Sequence, residues 1–553
     1  MIRSLHFCFF FLAILASNGV IAQTKPANLY DSARVYYEKR DFKKAYYFYD
    51  TFYADPHHGQ SNYDTFYAAV AACQSGQTEK IAYYLRRSAE IGYDLSSYDT
   101  FANDPLAACL HNRPEWKAFI EPFKFKADSA MRSLKEITDM LNDTTVRINR
   151  SLLTDEAYLE KLAAKSTPQQ LLKRLKDFNA FPSPKRTGFW TLYHLKAGDS
   201  LIVPFLVYIP KIYDAKKASS LYVFMHGGVG GPKNFSNPAY EPRSQAEFFK
   251  RAFEQNAFII FPFGRKGFNW LYNQDAFETI LKEIKHVKML YDIDDNRVYI
   301  GGHSDGGRGA VWFAMNQATP FAAFYGICYF PSVYTGNTTL RNLHNRPPFY
   351  SISATNDQLF PLSMVNNVLD QDVQAGGNWH RRIIKGTHGL PYATPDSVYF
   401  LFDSLANNRR EPAPKKLVWE TDDVRNGKYY WVSIDELDTA ASPAGWHTPI
   451  QPMITNKEGK TGRANFIKHK SGAVRAMVSA NVIDLQTSCV GELTVDIFPE
   501  LVDLRKPVTI RINQQQRFYG LIMPDKAKML EGFLKTGDRS QLILNSFTFK
   551  LIP

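Results

Sequence analysis

Residues Val298-Tyr299-Ile300 run directly into Gly301-Gly302-His303-Ser304-Asp305-Gly306-Gly307 and then into a helical stretch from Arg308 to Met315. A strand that turns this sharply into a helix presses backbone against backbone, so residues without side chains are needed on both sides of its tip. Gly302 and Gly306 hold those flanking positions, and Ser304 holds the tip. The pattern therefore places a hydroxyl at the carboxyl edge of a sheet, where the amino end of a helix favours negative charge.

The surrounding sequence supplies the sheet. Leu221 to Met225 and Ala257 to Phe261 are continuous apolar runs suited to buried parallel strands. Trp190 to His194, Leu201 to Tyr208, Arg297 to Gly301, Phe321 to Tyr329, Pro348 to Ala354 and Arg381 to Lys385 read as further strands, and Asp275 to Leu290 as a helix. Strands alternating with helices predict an α/β layer domain over 182–408. Pro182-Ser183-Pro184 opens it, and the linker-like Arg409-Arg410-Glu411-Pro412-Ala413-Pro414 closes it.

A serine hydroxyl is a weak nucleophile and needs an adjacent base, itself oriented by a carboxylate. Asp357 follows an apolar strand in Ser351-Ile352-Ser353-Ala354-Thr355-Asn356-Asp357, and His388 follows another in Gly386-Thr387-His388-Gly389. The chain order is Ser304, Asp357, His388. Asp370 and Asp372 fall within or at the end of the intervening helix and are poorer partners. His303 is expected to point away from the nucleophile, and His380 to precede its strand. Acyl transfer also needs two donors aimed at the developing oxyanion. His226-Gly227-Gly228-Val229-Gly230-Gly231 follows a strand directly, so Gly227 or Gly228 is the expected donor, with the Asp305 amide as the other. As a phosphate cradle the run lacks a following Lys-Ser/Thr. Arg265 and Trp270, with Phe268 and Tyr272, are candidates for an aromatic wall that takes a sugar or phenolic ring. Scattered cysteines offer no metal spacing, and neither metal nor organic cofactor is implied.

The flanks differ in kind. Met1 to Ala22 carries Arg3, the apolar run Phe7 to Ala16 and the ending Val20-Ile21-Ala22, the form of an export signal. The expected location is periplasmic or secreted. Residues 23–125 read as helical repeats, with Ala33 and Ala45 recurring as Ala69 and Ala82, and with Tyr36, Tyr37, Tyr46, Phe48, Phe66, Tyr67 and Tyr83 filling the grooves between helices. Asp55-Pro56 is expected to stop the first unit. Cys73 and Cys109 are a candidate disulfide pair, which export permits. Residues 126–181 read as a helical connector, and 409–553 as a β-rich, sandwich-like domain. With 553 residues the chain exceeds what one core organises. Its net charge of +12 forms no dense basic block with interleaved aromatics, so nucleic acid is not an expected partner. No segment after the signal is apolar for long enough to span a bilayer.

His226-Gly227-Gly228, the run Gly302 to Gly307, Asp357 and His388, with Asp294-Asp295-Asn296-Arg297-Val298-Tyr299 leading in, resemble an α/β-hydrolase. Nearest are the carbohydrate esterases and polyhydroxybutyrate-depolymerase-like enzymes, which include feruloyl and acetylxylan esterases. The resemblance covers residues of roughly 185 to 405. It implies a serine carboxylesterase working through an acyl-enzyme, with acylated polysaccharide as a substrate class. The same order and elbow occur in prolyl-oligopeptidase-like peptidases, where a β-propeller usually precedes the catalytic domain; here the leading segment is helical. The helical repeats resemble tetratricopeptide repeats, which implies a surface for a protein partner. An exported binding protein with an inactive hydrolase domain is the reading from another class.

Overall fold

Alternate residues of an extended chain point to opposite sides, so a strand apolar at every position must be covered on both faces. Strands β1 (Phe189–Ala197), β2 (Leu201–Ile209), β3 (Ser219–Met225), β4 (Phe258–Pro262), β5 (Ile293–His303), β6 (Ala323–Ile327), β7 (Phe349–Ala354) and β8 (Trp379–Ile384) form one sheet in the order 1-2-4-3-5-6-7-8. Only β2 runs against its neighbours. Parallel strands that alternate with helices are the α/β layer that the sequence predicts. The structure, a computed structural model, describes residues 29–54, 62–91, 97–125, 127–128, 151–184, 186–198, 200–238, 246–332, 340–345, 347–390, 395–448, 453–455, 461–463 and 470–551. The expected export signal and the Asp55-Pro56 stop lie outside these residues.

The chain divides into two compact units after Ser129. In the first, helices α1 (Leu29–Glu38), α2 (Phe42–Tyr53), α3 (Asn62–Gln74), α4 (Ile81–Ile91) and α5 (Ser97–Asn103) precede a further helix over 114–125. Ala33, Ala45 and Ala69 are fully buried, so small residues let the helices approach and Tyr49, Phe66 and Phe101 fill the remaining space. Tyr83, expected in a groove, is 40% exposed; its neighbour Tyr84 is buried instead and donates to Asp50 Oδ1 at 2.6 Å. A helix turns by about 100° per residue, so a groove reading displaced by one position lands on a different face. Cys73 and Cys109 form the disulfide that the sequence allowed, tying α3 to the short turn Pro105–Leu110.

In the second unit α6 (Glu156–Lys165) and α7 (Pro168–Lys176) precede the sheet. Helices α8 (Ala246–Glu254), α9 (Gln274–Leu290), α10 (Asp305–Asn316), α11 (Leu362–Gln374) and α12 (Pro395–Ala406) then alternate with its strands. Val207, Val223, Ile260 and Ile300 point to the face covered by Phe277 and Ile280 of α9 and Ala310 and Val311 of α10. Tyr208, Phe224, Ile259 and Tyr299 point to the other, covered by Phe248 and Phe249 of α8 and Leu401 and Phe402 of α12.

After the sheet come β9 (Lys416–Thr421), β10 (Lys428–Tyr429), β11 (Val432–Leu437), β12 (Met453–Thr455), β13 (Thr461–Arg463), β14 (Gly472–Ser479), β15 (Val482–Ser488), β16 (Val490–Ile497), β17 (Val508–Ile512), β18 (Gln515–Gly520), helix α13 (Lys526–Thr536) and β19 (Asn545–Lys550). A four-stranded sheet, 10-11-16-19, and a five-stranded sheet, 18-17-15-14-9, hold most of these strands. Their inner residues join the α9 and α10 side of the eight-stranded sheet's core through Trp419, Tyr429 and Trp431.

Neither expected boundary is a break in packing. Residues 151–181 bury Leu159, Leu162, Leu171 and Leu175 against Met529 and Phe533 of α13, so this segment is half of a joint rather than a free connector. The Arg409–Pro414 stretch is likewise no exposed linker, because Arg410 is buried and pairs with Asp538 at 2.7 Å. Lys288 Nζ stands 2.8 Å from Asp295 and 3.6 Å from Asp538, and Arg539 pairs with Asp292 at 2.7 Å. Three cations and three carboxylates thus balance in the interior, as buried charge requires. These contacts gather at the amino ends of the parallel strands. Arg539 bonds Ile293 O, the Arg410 N–H bonds Asn296 O, and the Tyr430 N–H bonds Thr319 Oγ1 before β6. Along β5 that end lies about 30–35 Å from Ser304, at ~3.3 Å per residue.

Candidate active site

Ser304 has φ 55° and ψ −115°, a conformation that side-chain-bearing residues rarely adopt. It persists because a Cβ on either Gly302 or Gly306 would run into the Met225 carbonyl oxygen, so the elbow closes only with glycine at both positions. The Ser304 N–H donates to Ile327 O at 2.9 Å, which fastens the tip of the turn to the end of β6. Helix α10 begins at the next residue, and Ser304 does not cap it through its side chain. The hydroxyl is left for other work.

His388 Nε2 lies 2.9 Å from Ser304 Oγ, and His388 Nδ1 lies 2.9 Å from Asp357 Oδ2. The three side chains come from the carboxyl ends of β5, β7 and β8, so parallel strands bring distant residues to one edge. Asp357 Oδ1 accepts the Leu359 and Phe360 N–H groups, each at 2.9 Å. Burial alone raises the Asp357 carboxyl, but its bonds from His388, Phe360 and Leu359 outweigh that and hold it below the usual carboxylate range. An ionised Asp357 fixes the proton on His388 Nδ1 and leaves Nε2 free to accept the serine proton.

Gly227 and Gly228 line the other side. A Cβ on Gly227 would stand 2.9 Å from Ser304 Cβ and 3.2 Å from His303 O, so the loop backbone approaches the hydroxyl as closely as a glycine permits. Gly228 has φ +70°. His226 pins this loop: its Nε2 accepts the Gly264 N–H at 3.1 Å, which leaves Nδ1–H to donate to Gly227 O at 2.8 Å. Burial pushes the His226 imidazole down to about 4, so it stays neutral and keeps both bonds near neutral pH. Asp305 contributes through its side chain as well, since Oδ2 accepts the Val229 N–H at 3.1 Å. The sequence offered the histidine and the aspartate, but no periodicity or motif marks a side chain that braces a loop.

His303 packs beside the base. Its ring centroid is 5.0 Å from that of His388, and burial together with that neighbour pushes its pKa down to about 3. Trp270 is no exposed wall. It is 2% exposed, packs against Gly309, and donates Nε1–H to His226 O at 3.1 Å, so it supports the glycine loop from behind. Phe268 is buried too, and Tyr272 is exposed. Arg265 stacks its guanidinium over Phe235 at 5.2 Å and donates to Lys266 O. The local reason is an antiparallel bridge between Arg265 and Phe268, which folds this loop back on itself. Among the described residues, no three His, Cys, Asp or Glu side chains gather as metal ligands, and no helix is long and apolar enough to cross a membrane.

No family model matches the chain, and no curated protein matches it. Solved structures do. One is a thermostable esterase, 20% identical, covering 40% of this chain and 63% of its own, with a TM-score of 0.33. A ferulic acid esterase is 15% identical, covering 40% of this chain and 99% of its own, with a TM-score of 0.33. An acylaminoacyl peptidase from Pyrococcus horikoshii is 15% identical, covering 41% of this chain and 42% of its own, with a TM-score of 0.32. The chain thus spans less than two thirds of the thermostable esterase and of the peptidase.

Proposed function

We propose that this protein is an exported serine hydrolase that cleaves carboxylic esters. The observation that carries the reading is the unbroken relay from Ser304 Oγ through both His388 nitrogens to Asp357, on a strained nucleophile turn. His388 takes the Ser304 proton as Oγ attacks the ester carbonyl. The oxyanion forms toward the N–H groups of Asp305 and of Gly227 or Gly228, with the amino end of α10 behind it. Collapse of that intermediate breaks the bond to the alcohol oxygen, which leaves with the proton from His388. Water, deprotonated by the same imidazole, then attacks the acyl-enzyme and releases the acid.

Acylated polysaccharide is the substrate class we favour, on the motifs shared with carbohydrate esterases. The helical unit is a candidate surface for a protein partner, and the signal-like amino terminus supports a reaction outside the cytoplasm. Purified protein and its Ser304→Ala variant should be compared on p-nitrophenyl acetate, longer acyl esters and aminoacyl-p-nitroanilides, alongside labelling by a fluorophosphonate. Ester turnover and labelling, both lost in Ser304→Ala, are the expected result. Cleavage of anilides alone would make the enzyme a peptidase, and silence toward every probe would leave an inactive binding protein.

A further inference from the structure

Beside the relay lies Cys328, a free thiol 1% exposed, directly after β6. Its backbone has φ +47°, which a residue with a Cβ adopts only when its surroundings hold it there. Each neighbour of Cys328 supports a different member of the relay. The preceding carbonyl, Ile327 O, accepts the Ser304 N–H, and the Cys328 N–H donates to Ile352 O in the strand that leads to Asp357. Sγ lies 3.4 Å from Gly389 O and 3.8 Å from Thr387 O, the carbonyls on either side of His388.

We infer that Cys328 is a positioning residue, whose S–H donor holds the His388 loop, and with it the imidazole, in register for proton transfer from Ser304. The inference rests on the serine-hydrolase reading above. Burial and the adjacent carboxylate push the Cys328 thiol up to about 12, so it remains a donor throughout the working range and never adds a second anion beside Asp357. One proton cannot serve both carbonyls at once, and it anchors the loop through Gly389 O, the nearer one. The titratable groups around the imidazole are Asp357, Ser304, His303 and Cys328.

Two consequences separate positioning from mere packing. In Cys328→Ala the loop loses its anchor, and kcat on a p-nitrophenyl ester should fall by about tenfold to a hundredfold with KM little changed, because a small misplacement of the base costs that much. Cys328→Ser, which restores a donor, should recover most of the rate. Cys328→Gly, which suits the positive φ and also lacks the donor, replaces the Ala variant if that does not fold. An Ala or Gly variant with unchanged kcat would overturn the inference, as would a Ser variant as slow as Ala. Ser304→Ala is assayed in parallel: turnover retained there overturns the triad reading itself, independently of Cys328.

Discussion

Asp305 Oδ2 accepts the Val229 N–H at 3.1 Å, which joins the residue after the nucleophile to the glycine loop facing it. On the proposed mechanism the backbone and the side chain of one residue then act on the same site: the N–H would face the developing oxyanion, while the carboxylate holds the opposing loop in place. Preorganised donors stabilise charge because they need no rearrangement at the moment of reaction.

Asp305→Asn retains an acceptor oxygen in the same place and should keep kcat close to that of the parent. Asp305→Ala releases Val229 and should lower kcat by about tenfold or more, with folding intact. Steady-state kinetics on p-nitrophenyl acetate checks this; equal losses in both variants would assign the effect to the carboxylate's charge rather than to its bond.

The buried joint between the eight-stranded sheet and the β-rich region makes a prediction about stability. Burial raises the Asp538 carboxyl, but Arg410 and Lys288 outweigh it, so Asp538 stays ionised between two cations. Asp538→Asn leaves both cations short of a counter-charge in a dry interior and should cost about 3–5 kcal/mol. Because these residues sit at the amino ends of the strands, ester turnover at low temperature should be spared while the midpoint of denaturation falls. Loss of kcat at full folding would show that the joint communicates with Ser304.

Legibility tracks the range of the forces involved. The elbow around Ser304 is dictated by neighbours in sequence, so Gly302, Ser304 and Gly306 identify it alone. Asp357 and His388 are reachable because parallel strands deliver the loops at their carboxyl ends to one edge. Helix α13 escapes a reading of the sequence, although Asp525 caps its start and Gly537, at φ +65°, ends it. Its apolar face makes sense only against α6 and α7, which lie more than 350 residues earlier in the chain. Trp270 shows the same limit from the opposite side. An aromatic in a loop after a strand reads as a wall, and only the His226 carbonyl that it bonds reveals a prop. The disulfide, by contrast, joins residues 36 apart in one helical segment, close enough for the sequence to suggest the pair.

Glu283 gives the last prediction, on pH. It lies on α9, 1% exposed, and neither carboxyl oxygen has a hydrogen-bond partner among the described residues. Burial raises its pKa well above that of a free glutamate, so the folded protein holds a proton that the unfolded chain releases above about pH 4.3. A raised carboxyl binds more protons in the folded state, and stability therefore falls as pH rises between the unfolded and the folded value. Glu283→Gln removes that proton from the balance. The variant should match the parent below about pH 4 and gain on it by about 1.4 kcal/mol for each pH unit above that, until the folded pKa is reached. Urea denaturation of both proteins at pH 5, 6, 7 and 8 checks the slope. A difference that stays constant across the series would mean that Glu283 is ionised in the fold and finds a partner there.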